Sequence, residues 1–262
     1  MTTAGRLTGL SALVTGGSRG IGFAIAQAFV REGADVMLAA TSEDALRAAH
    51  AELKSSGRKV GTVAIDVARP DDCQKAVDAT IESLGRLDVL VNAAGIYTPR
   101  SFLQYSVAEF DRLMQVNLHG PFHMMQLALA HMASNGSGRV INIASTAGKW
   151  ASLNQSAYNA SKHGLIGLTR CAALEFAGNG ITVNAICPGL VQTDMARQLV
   201  NDHAALGDVA PRDLHASLLQ RVAQRRFIDP SECAGLAVYL ASREAHGMTG
   251  QSIVIDGGML FV

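Results

Sequence analysis

A tyrosine and a lysine one helical turn apart form the pair in this sequence best suited to acid–base chemistry. Tyr158 and Lys162 are four positions apart in a segment predicted to be helical, so their side chains share one face. A phenol has an unperturbed pKa of about 10, and a neighbouring ammonium lowers that value by favouring the phenolate. A tyrosine tuned in this way can act as a general acid or base. Ser145, which ends a predicted strand, can hydrogen-bond a substrate oxygen beside it.

A glycine-rich turn suggests where a phosphate would bind. Gly16, Gly20 and Gly22 follow the first predicted strand and open a helix, in the spacing G-x-x-x-G-x-G. Positions without side chains let the backbone approach a pyrophosphate, and the first turn of a helix offers N–H groups and a partial positive charge. A tight turn without a ligand is the alternative interpretation. The position at the first strand–helix junction favours the phosphate loop.

These residues lie at the ends of elements that alternate between strand and helix. The strands are nearly continuous in apolar residues, which is typical of parallel strands buried on both faces. The sequence therefore predicts an α/β fold, one domain over residues 1–262 with a doubly wound parallel seven-stranded sheet and helices on both faces. Ligands bind at the carboxyl ends of such strands. The predicted strands are 11–15, 35–40, 60–65, 88–91, 139–144, 181–186 and 252–255. The predicted helices are 21–31, 43–56, 70–84, 107–134, 156–177, 195–226 and 230–242.

Charge and cysteine content narrow the class of protein. Lys plus Arg and Asp plus Glu are 22 each, so the formal net charge is zero and nothing draws the whole chain to nucleic acid or an acidic membrane. No stretch reaches the roughly 18 apolar residues of a membrane span. The first ten residues contain no long apolar run, and the four cysteines form no C-x-x-C pair. We therefore expect a cytoplasmic protein with reduced, mostly buried thiols.

The order of several short motifs resembles the short-chain dehydrogenase/reductase family over the whole chain. Its cofactor motif is similar to residues 15–22, and its N-N-A-G motif is similar to residues 92–95, although Ala93 replaces the second Asn. Its catalytic Ser and Y-x-x-x-K resemble Ser145 and residues 158–162, and its P-G motif resembles residues 188–189. Within the family, the chain looks most like the 3-oxoacyl-carrier-protein and polyketide ketoreductases.

The resemblance implies a Rossmann fold and hydride transfer between a nicotinamide and a carbonyl or secondary alcohol. It implies that Ser145, Tyr158, Lys162 and Asn117 are catalytic, with an oxidised nicotinamide helping Lys162 to lower the pKa of Tyr158. In the family, the position of Asn117 holds a water that links the lysine to solvent. By position, the implied cofactor contacts are Gly16, Ser18, Arg19, Gly20, Ile21, Gly22, Thr41, Asp66, Val67, Asn92, Ala93, Gly95, Tyr158, Lys162, Pro188, Gly189, Val191 and Thr193.

The choice of dinucleotide depends on the end of the second strand. No acid stands there to bind a ribose 2′-hydroxyl, and Thr41 with Asp44 has the spacing of a helix-capping pair. Arg19 can pair a 2′-phosphate through charge-assisted bonds. Residues 40–43 also resemble those of NADPH-dependent 3-oxoacyl-carrier-protein reductases. We therefore favour NADP(H), with NAD(H) as the alternative.

The substrate region is predicted at a lid over residues 194–228. Its apolar members can line a pocket or pack the lid itself; they are Met195, Leu199, Leu206, Leu214, Leu218 and Leu219. Tyr97, Trp150 and Leu153 are candidate pocket walls. Arginines in the lid can receive an acyl carrier protein or a CoA phosphate, or form a solvated face; they are Arg212, Arg221, Arg225 and Arg226.

Three functions remain open from the sequence. The favoured one is an NADP(H)-dependent reductase of a 3-oxoacyl-type ketone, and the runner-up is an NAD-dependent dehydrogenase of a polyol, sterol or hydroxy acid. The third is a dinucleotide sensor without catalysis. His119 and His123 are four apart, but without a third ligand they predict no metal site. The family resemblance also implies a homotetramer built through residues 156–177 and 252–262.

Overall fold

The computed structural model describes residues 5–261 and contains one seven-stranded parallel sheet. The strand order is β3-β2-β1-β4-β5-β6-β7. The strands are β1 (Ser11–Thr15), β2 (Asp35–Ala40), β3 (Val60–Ala64), β4 (Val89–Asn92), β5 (Gly138–Ile143), β6 (Ile181–Pro188) and β7 (Ser252–Ile255). The predicted doubly wound α/β fold is confirmed. The strand order reverses between β1 and β4, and a crevice for a ligand opens at such a point.

The described range contains nine α-helices. They are α1 (Gly20–Arg31), α2 (Glu43–Leu53), α3 (Pro70–Leu84), α4 (Val107–Met114), α5 (Gly120–Asn135), α6 (Ser156–Phe176), α7 (Asp194–Leu206), α8 (Pro211–Gln220) and α9 (Pro230–Ala241). Helices α1, α2 and α9 pack on one face of the sheet, and α3, α5 and α6 pack on the other. Successive strand residues point to opposite faces, so Leu13 and Leu90 lie in the second layer while Val14 and Val91 lie in the first.

Two predicted helices, 107–134 and the segment 195–226 that was expected to be irregular around Pro211, depart from regular α-helical hydrogen bonding. The single helix over 107–134 is interrupted by a π-helical turn, Gln115–His119, between α4 and α5. Pro121 has no N–H to donate to the carbonyl four residues back, that of Asn117, which favours a wider turn there. The helix over 195–226 is also two helices. Asp208 takes a positive φ of 50° after α7, and Pro211 begins α8.

The C-terminal turn holds the chain that returns from α8. Asp256 is buried, and its carboxylate accepts hydrogen bonds from the backbone N–H groups of Gly258 and Leu260 at 2.9 and 2.7 Å. The carbonyl of Gly257 in turn accepts a bond from the N–H of Gln224 at 2.9 Å. The end of the described chain therefore fixes one end of the segment predicted to be a lid. None of the described helices is long and apolar enough to cross a membrane.

Candidate active site

Helix α6 carries Tyr158 and Lys162 to the carboxyl edge of the sheet. Lys162 is only 4% exposed, and its Nζ donates a hydrogen bond to the carbonyl of Ile143, the last residue of β5, at 2.8 Å. The same Nζ lies 5.7 Å from the centre of the Tyr158 ring. The structure thus places the amine and the phenol on one face of α6, with the amine anchored to the strand that precedes Ser145.

Burial affects the pKa of both groups. It lowers the pKa of Lys162 to about 8, because an ammonium in this position has lost its water. It also raises the pKa of Tyr158, although the Ser145 side chain opposes the rise. This direction is opposite to the expected lowering. The buried Lys162, whose Nζ donates to the Ile143 carbonyl, does not offset this rise.

Ser145 follows β5 and begins a short 3₁₀ turn. Its Oγ accepts a hydrogen bond from the N–H of Ala147 at 3.1 Å. That bond uses an oxygen lone pair and leaves the hydroxyl proton for donation. The side chain is therefore oriented by its own turn and can donate to an oxygen that lies beside Tyr158.

Asn117 lies in the π-helical turn and is completely buried. Its Oδ1 accepts a hydrogen bond from the N–H of Ile96 at 2.9 Å, and its Nδ2 donates one to the carbonyl of Ile96 at 2.9 Å. Nδ2 also lies 3.3 Å from the hydroxyl of Ser161 on α6. The side chain thus joins the segment after β4 to α6, beneath Gly95, whose added Cβ would lie 3.8 Å from the Lys162 Nζ.

The loop after β1 brings the backbone close to the segment after β4. The hydroxyl oxygen of Thr15 accepts hydrogen bonds from the N–H groups of Ala93 and Ala94, both at 3.2 Å. A Cβ added to Gly16 would lie 2.8 Å from the nitrogen of Ala94. Asn92 itself is buried in the sheet, where its amide donates to Asn142 at 2.9 Å. Asn92 therefore supports the crevice from below.

The start of α1 fits a pyrophosphate. The helix begins at Gly20, one residue before the predicted start, and its first turn contains no acidic side chain. Arg19 occupies the N-cap without a capping hydrogen bond from its side chain within the described structure. The loop also contains Ser18 and Ile21. The first backbone N–H groups of a helix have no partner inside it, so an anion can receive them here. A Cβ on Gly20 would meet only the side chain of Thr193, whose methyl group lies 3.5 Å away.

Gly22→Ala tests whether this loop tolerates a side chain. A Cβ at position 22 would lie 2.3 Å from the carbonyl oxygen of Gly16, a backbone atom that can move only by distorting the loop. We expect the variant to be less stable by about 1–3 kcal/mol in the free energy of unfolding, and therefore to melt at a lower temperature. We also expect it to bind the dinucleotide at least tenfold more weakly.

The matched control is Gly235→Ala in α9, where the added Cβ meets no atom of the described residues within 4 Å. We expect this control variant to gain about 0.5–1 kcal/mol in the free energy of unfolding and to bind the dinucleotide as tightly as the wild type. Thermal denaturation and dinucleotide titration of both variants provide the measurement. Equal behaviour of the two variants would contradict the close approach.

The residues predicted to contact the adenine follow β2 and β3. Asp66 is partly buried, which by itself would raise its pKa, but the N–H of Ala68 and the Arg112 guanidinium hold the pKa below its usual value. The Arg112 Nη2 lies 2.9 Å from the Asp66 carboxylate. Val67 is buried and packs against the start of α5, close to Gly120.

Ser42, rather than the predicted Thr41, caps α2. Its hydroxyl accepts a hydrogen bond from the N–H of Ala45 at 3.3 Å, so the predicted capping role of Thr41 is wrong. Glu43 and Asp44 both form ion pairs with Arg47 one turn later. The acids therefore belong to the first turn of α2, and Thr41 is left exposed at the end of β2.

The residues predicted to contact the nicotinamide lie on the chain that leaves β6. Strand β6 extends to Pro188, two residues beyond the predicted end, and the N–H of Gly189 donates to the carbonyl of Ile255 at 2.9 Å. Val191 is buried and forms an isolated parallel bridge with Ile228. Thr193 caps α7 by accepting a hydrogen bond from the N–H of Ala196 at 3.3 Å. These contacts place the start of α7 over the start of α1.

The predicted pocket walls have different surroundings. The Tyr97 ring meets the Tyr158 ring edge-on, with centres 5.3 Å apart. Trp150 lies beneath the Arg221 guanidinium at 4.9 Å. Leu153 is 82% exposed, so in this structure it does not form a pocket wall. His203 and Gln155, which the sequence did not single out, contact each other beside Tyr97 at 3.3 Å. No local pattern links them, because His203 is 106 residues from Tyr97.

The lid region has few buried apolar side chains. Helix α8 has no buried residue among those described. The predicted apolar residues are all at least partly exposed; they are Met195, Leu199, Leu206, Leu214, Leu218 and Leu219. Arg226 pairs with Glu232 at 2.6 Å, and Arg225 bonds to the carbonyl of Gln220. Arg221 stacks on Trp150, and all four predicted arginines, Arg212 included, are exposed, so a contact with a carrier protein or a CoA phosphate stays a prediction.

Three of the four cysteines are buried, and the histidines and cysteines form no metal site among the described residues. Cys73, Cys187 and Cys233 are buried free thiols, whereas Cys171 is exposed on α6. Residues 5–261 contain no cluster of three or more metal-ligating His, Cys, Asp or Glu side chains. His119 belongs to the π-helical turn and His123 to α5, where the latter ring lies 5.5 Å from that of Phe122.

Comparison with known proteins places this arrangement in a family. A model of the family described as enoyl-(acyl carrier protein) reductase matches residues 16–260. The chain is 41% identical over 249 residues to the uncharacterized oxidoreductase YxjF of Bacillus subtilis (strain 168), covering 94% of this chain and 96% of that protein. The chain belongs to the short-chain dehydrogenase/reductase family. It is therefore an oxidoreductase, as the sequence motifs predicted.

Solved structures of this family share the whole fold. The crystal structure of a single-residue variant of actinorhodin polyketide ketoreductase with NADPH superposes with a TM-score of 0.93 at 34% identity, covering 98% of this chain and 99% of that chain. NAD⁺-bound xylitol dehydrogenase superposes with a TM-score of 0.94 at 30% identity, covering 97% and 100%. The resemblance to ketoreductases of the family is confirmed, and family members of this shape bind either NAD or NADP.

Proposed function

We propose that this short-chain dehydrogenase/reductase uses NADP(H) to interconvert a ketone and a secondary alcohol, with Tyr158 as the general acid and base. The observation that carries the proposal is the position of Tyr158 and Ser145 beside the buried Lys162, at the edge of the sheet where the glycine loop opens α1. When bound, the reduced nicotinamide supplies a hydride to the carbonyl carbon.

The side chains of the chain supply the remaining steps. Ser145 donates a hydrogen bond to the carbonyl oxygen and holds it beside the Tyr158 hydroxyl. Tyr158 gives its proton to that oxygen as the hydride arrives, and takes a proton back when the reaction runs as an oxidation. Lys162 is positioned to stabilise the resulting phenolate. Asn117 fixes the segment that carries Gly95 against α6.

The preference for NADP(H) is supported by charges around the adenosine ribose. Arg19 is exposed, and within residues 5–261 it forms no ion pair. The N–H of Gly17 donates to the carbonyl of Ala39 at 3.2 Å, so the Arg19 loop lies against the end of β2. The nearest acids after that strand are engaged by Arg47. A 2′-phosphate would therefore meet a free cation and no carboxylate at the described end of the strand.

Arg19→Ala tests the cofactor preference. Loss of one charge-assisted contact costs about 1.5–3 kcal/mol, so we expect the KM for NADPH to rise roughly 10- to 100-fold. The KM for NADH should stay within about twofold of the wild-type value, because NADH has no 2′-phosphate. Initial-rate kinetics with both cofactors give the measurement, and Arg31→Ala at the far end of α1 is the control. An unchanged KM for NADPH would overturn the assignment.

The substrate proposed is a 3-oxoacyl-type or related ketone with an apolar body. Support comes from the partly exposed apolar side chains of α7 and α8, which can cover such a body, and from the similarity to a polyketide ketoreductase. A panel of 3-oxoacyl thioesters (on CoA and on acyl carrier protein), simple ketones and polyols, each tested with NADPH, NADH, NADP⁺ and NAD⁺, distinguishes the alternatives. NAD⁺-dependent polyol oxidation as the dominant activity would favour the xylitol dehydrogenase-like function. Cofactor binding without turnover on any substrate would favour a sensor.

We also propose that the protein is a homotetramer in the cytoplasm. Support for self-association is the exposure of Leu174 on α6, at 85%, and of Phe261 near the C-terminus, at 90%. Met259 to Phe261 extend the apolar C-terminal segment, and Val262 lies outside the described residues. Light scattering coupled to gel filtration measures the assembly directly.

A further inference from the structure

A buried polar cluster joins the lid helix to the ring beside Tyr158. Tyr97 is 8% exposed, and its ring stands at 83° to that of Tyr158 with centres 5.3 Å apart. Its hydroxyl forms a hydrogen bond with the Nε2 atom of His203 on α7. The rings of Tyr97 and His203 are nearly parallel, at 25° with centres 6.1 Å apart. The Nε2 atom of Gln155 lies 3.3 Å from the same histidine nitrogen.

The hydrogen-bonding capacities of these groups determine the form of His203. With the ring proton on Nδ1, Nε2 has one in-plane lone pair, and the Tyr97 hydroxyl can donate to it while the Gln155 amide lies beside both groups. His203 is then neutral with its proton on Nδ1. Burial lowers the pKa of His203, although the Asp202 charge opposes this, and burial likewise raises the pKa of Tyr97. The pair is uncharged at neutral pH, so Tyr97 is not a second catalytic acid.

The hydrogen bond between Tyr97 and His203 connects the segment after β4 to α7, and few other described contacts join these two elements near the site. Tyr97 lies on the segment after β4 that Asn117 fixes through Ile96. Helix α7 buries only Ala196, Val200 and Ala204, three small or medium side chains. The hydrogen bond from Tyr97 to His203 therefore holds α7 in place where few apolar side chains pack.

We propose that neutral His203 is a positioning residue, which holds α7 over the crevice and presses the Tyr97 ring against Tyr158. The proposal deepens the proposed function, since it concerns the same crevice. The Tyr97 ring takes up one side of the space beside the reacting phenol, so the substrate's larger substituent lies on the other side. His203 thereby contributes to substrate affinity and selectivity without touching the reacting atoms.

Three variants separate this role from a general weakening of α7. His203→Leu removes the acceptor, Tyr97→Phe removes the donor but keeps the ring, and His203→Gln supplies an amide oxygen near the Nε2 position. One buried hydrogen bond is worth about 1–1.5 kcal/mol, so we expect the ketone KM to rise about tenfold in His203→Leu and in Tyr97→Phe. We expect kcat to change less than threefold, and His203→Gln to recover most of the affinity.

A double-mutant cycle gives the sharper test. If the two side chains act through each other, the Tyr97→Phe/His203→Leu protein should have a KM no higher than about twice that of either single variant. Gln198→Leu, at an exposed position of α7, should leave the KM unchanged. Independent, multiplicative effects of the two substitutions, or a loss of kcat at unchanged KM, would overturn the proposal.

A readout without activity keeps this inference separate from the proposed reaction. Hydrogen–deuterium exchange of the α7 amides should be faster in His203→Leu and Tyr97→Phe than in the wild type, and close to wild type in His203→Gln. Unchanged exchange in both loss variants would refute the tie between α7 and Tyr97, whatever the substrate. A failed ketone panel with the expected exchange pattern would instead refute the proposed function alone.

Discussion

Tyr158→Phe is expected to lose about 100- to 10,000-fold in kcat for ketone reduction while keeping its fold and its affinity for NADPH, since positioned acid–base groups typically contribute about 10²–10⁴-fold in rate. The substitution removes the proton that the carbonyl oxygen must receive. The phenyl ring retains the edge-on contact with Tyr97, so packing changes little. Steady-state kinetics give kcat, and titration of the purified variant with NADPH gives the dissociation constant.

The matched control is Tyr239→Phe on α9, a helix that packs on the opposite face of the sheet from α6. It should turn over within about twofold of the wild-type rate. Near-normal kcat in Tyr158→Phe would show that another group supplies the proton and would remove the central element of the proposed mechanism. Loss of NADPH binding together with activity would point to a structural role instead.

Lys162→Met is expected to reduce kcat by about 100-fold or more and to change how stability depends on pH. The pKa of Lys162 is about 8 in the folded protein, below the value of about 10.4 for an unfolded lysine. Between these two values the unfolded chain binds more protons, so the wild-type free energy of unfolding rises as the pH increases from about 8 to about 10. Below pH 8 the fold bears the full cost of a buried ammonium. The methionine variant has no such group.

The stability advantage of Lys162→Met over wild type should therefore shrink by about 2–3 kcal/mol between about pH 7 and about pH 10. The lost hydrogen bond to Ile143 costs about 1 kcal/mol at every pH and does not alter this slope. Urea denaturation at several pH values measures it. Lys54→Met, at an exposed position, provides the control and should show no such trend. Parallel pH profiles for wild type and Lys162→Met would contradict the lowered pKa.

Much of the fold follows from patterns that act over a few residues. Strands β1, β2 and β7 and helix α3 have the predicted bounds, because each ends at a glycine, an acidic residue or a short polar residue that interrupts the apolar pattern. The fold class and the family were accessible for the same reason, since the motifs lie at the strand ends that a doubly wound fold brings together. Local sequence also identified the position of Tyr158 relative to Lys162, because a helix repeats every 3.6 residues.

The features that were missed depend on contacts between distant segments or on competition at one position. The π-helical turn at Asn117 follows from Pro121, whose effect in a continuous apolar pattern was not recognised. Ser42 and Thr41 are both able to cap a helix, and the backbone geometry of α2 selects Ser42. The bond between Tyr97 and His203 spans 106 residues and has no periodic signature. The burial that raises the Tyr158 pKa is likewise set only in three dimensions.

The bidentate clasp of Asn117 on the Ile96 backbone has a consequence for how this site can evolve. An aspartate there would turn a second oxygen toward the Ile96 carbonyl, and shorter side chains would reach neither backbone group. Each substitution would displace the strip of main chain that carries both Gly95 and Tyr97. A change at position 117 would therefore move Gly95, a predicted cofactor contact, and Tyr97, a candidate pocket wall, together. Substitutions at Tyr97 or His203 would leave the Asn117–Ile96 contacts in place.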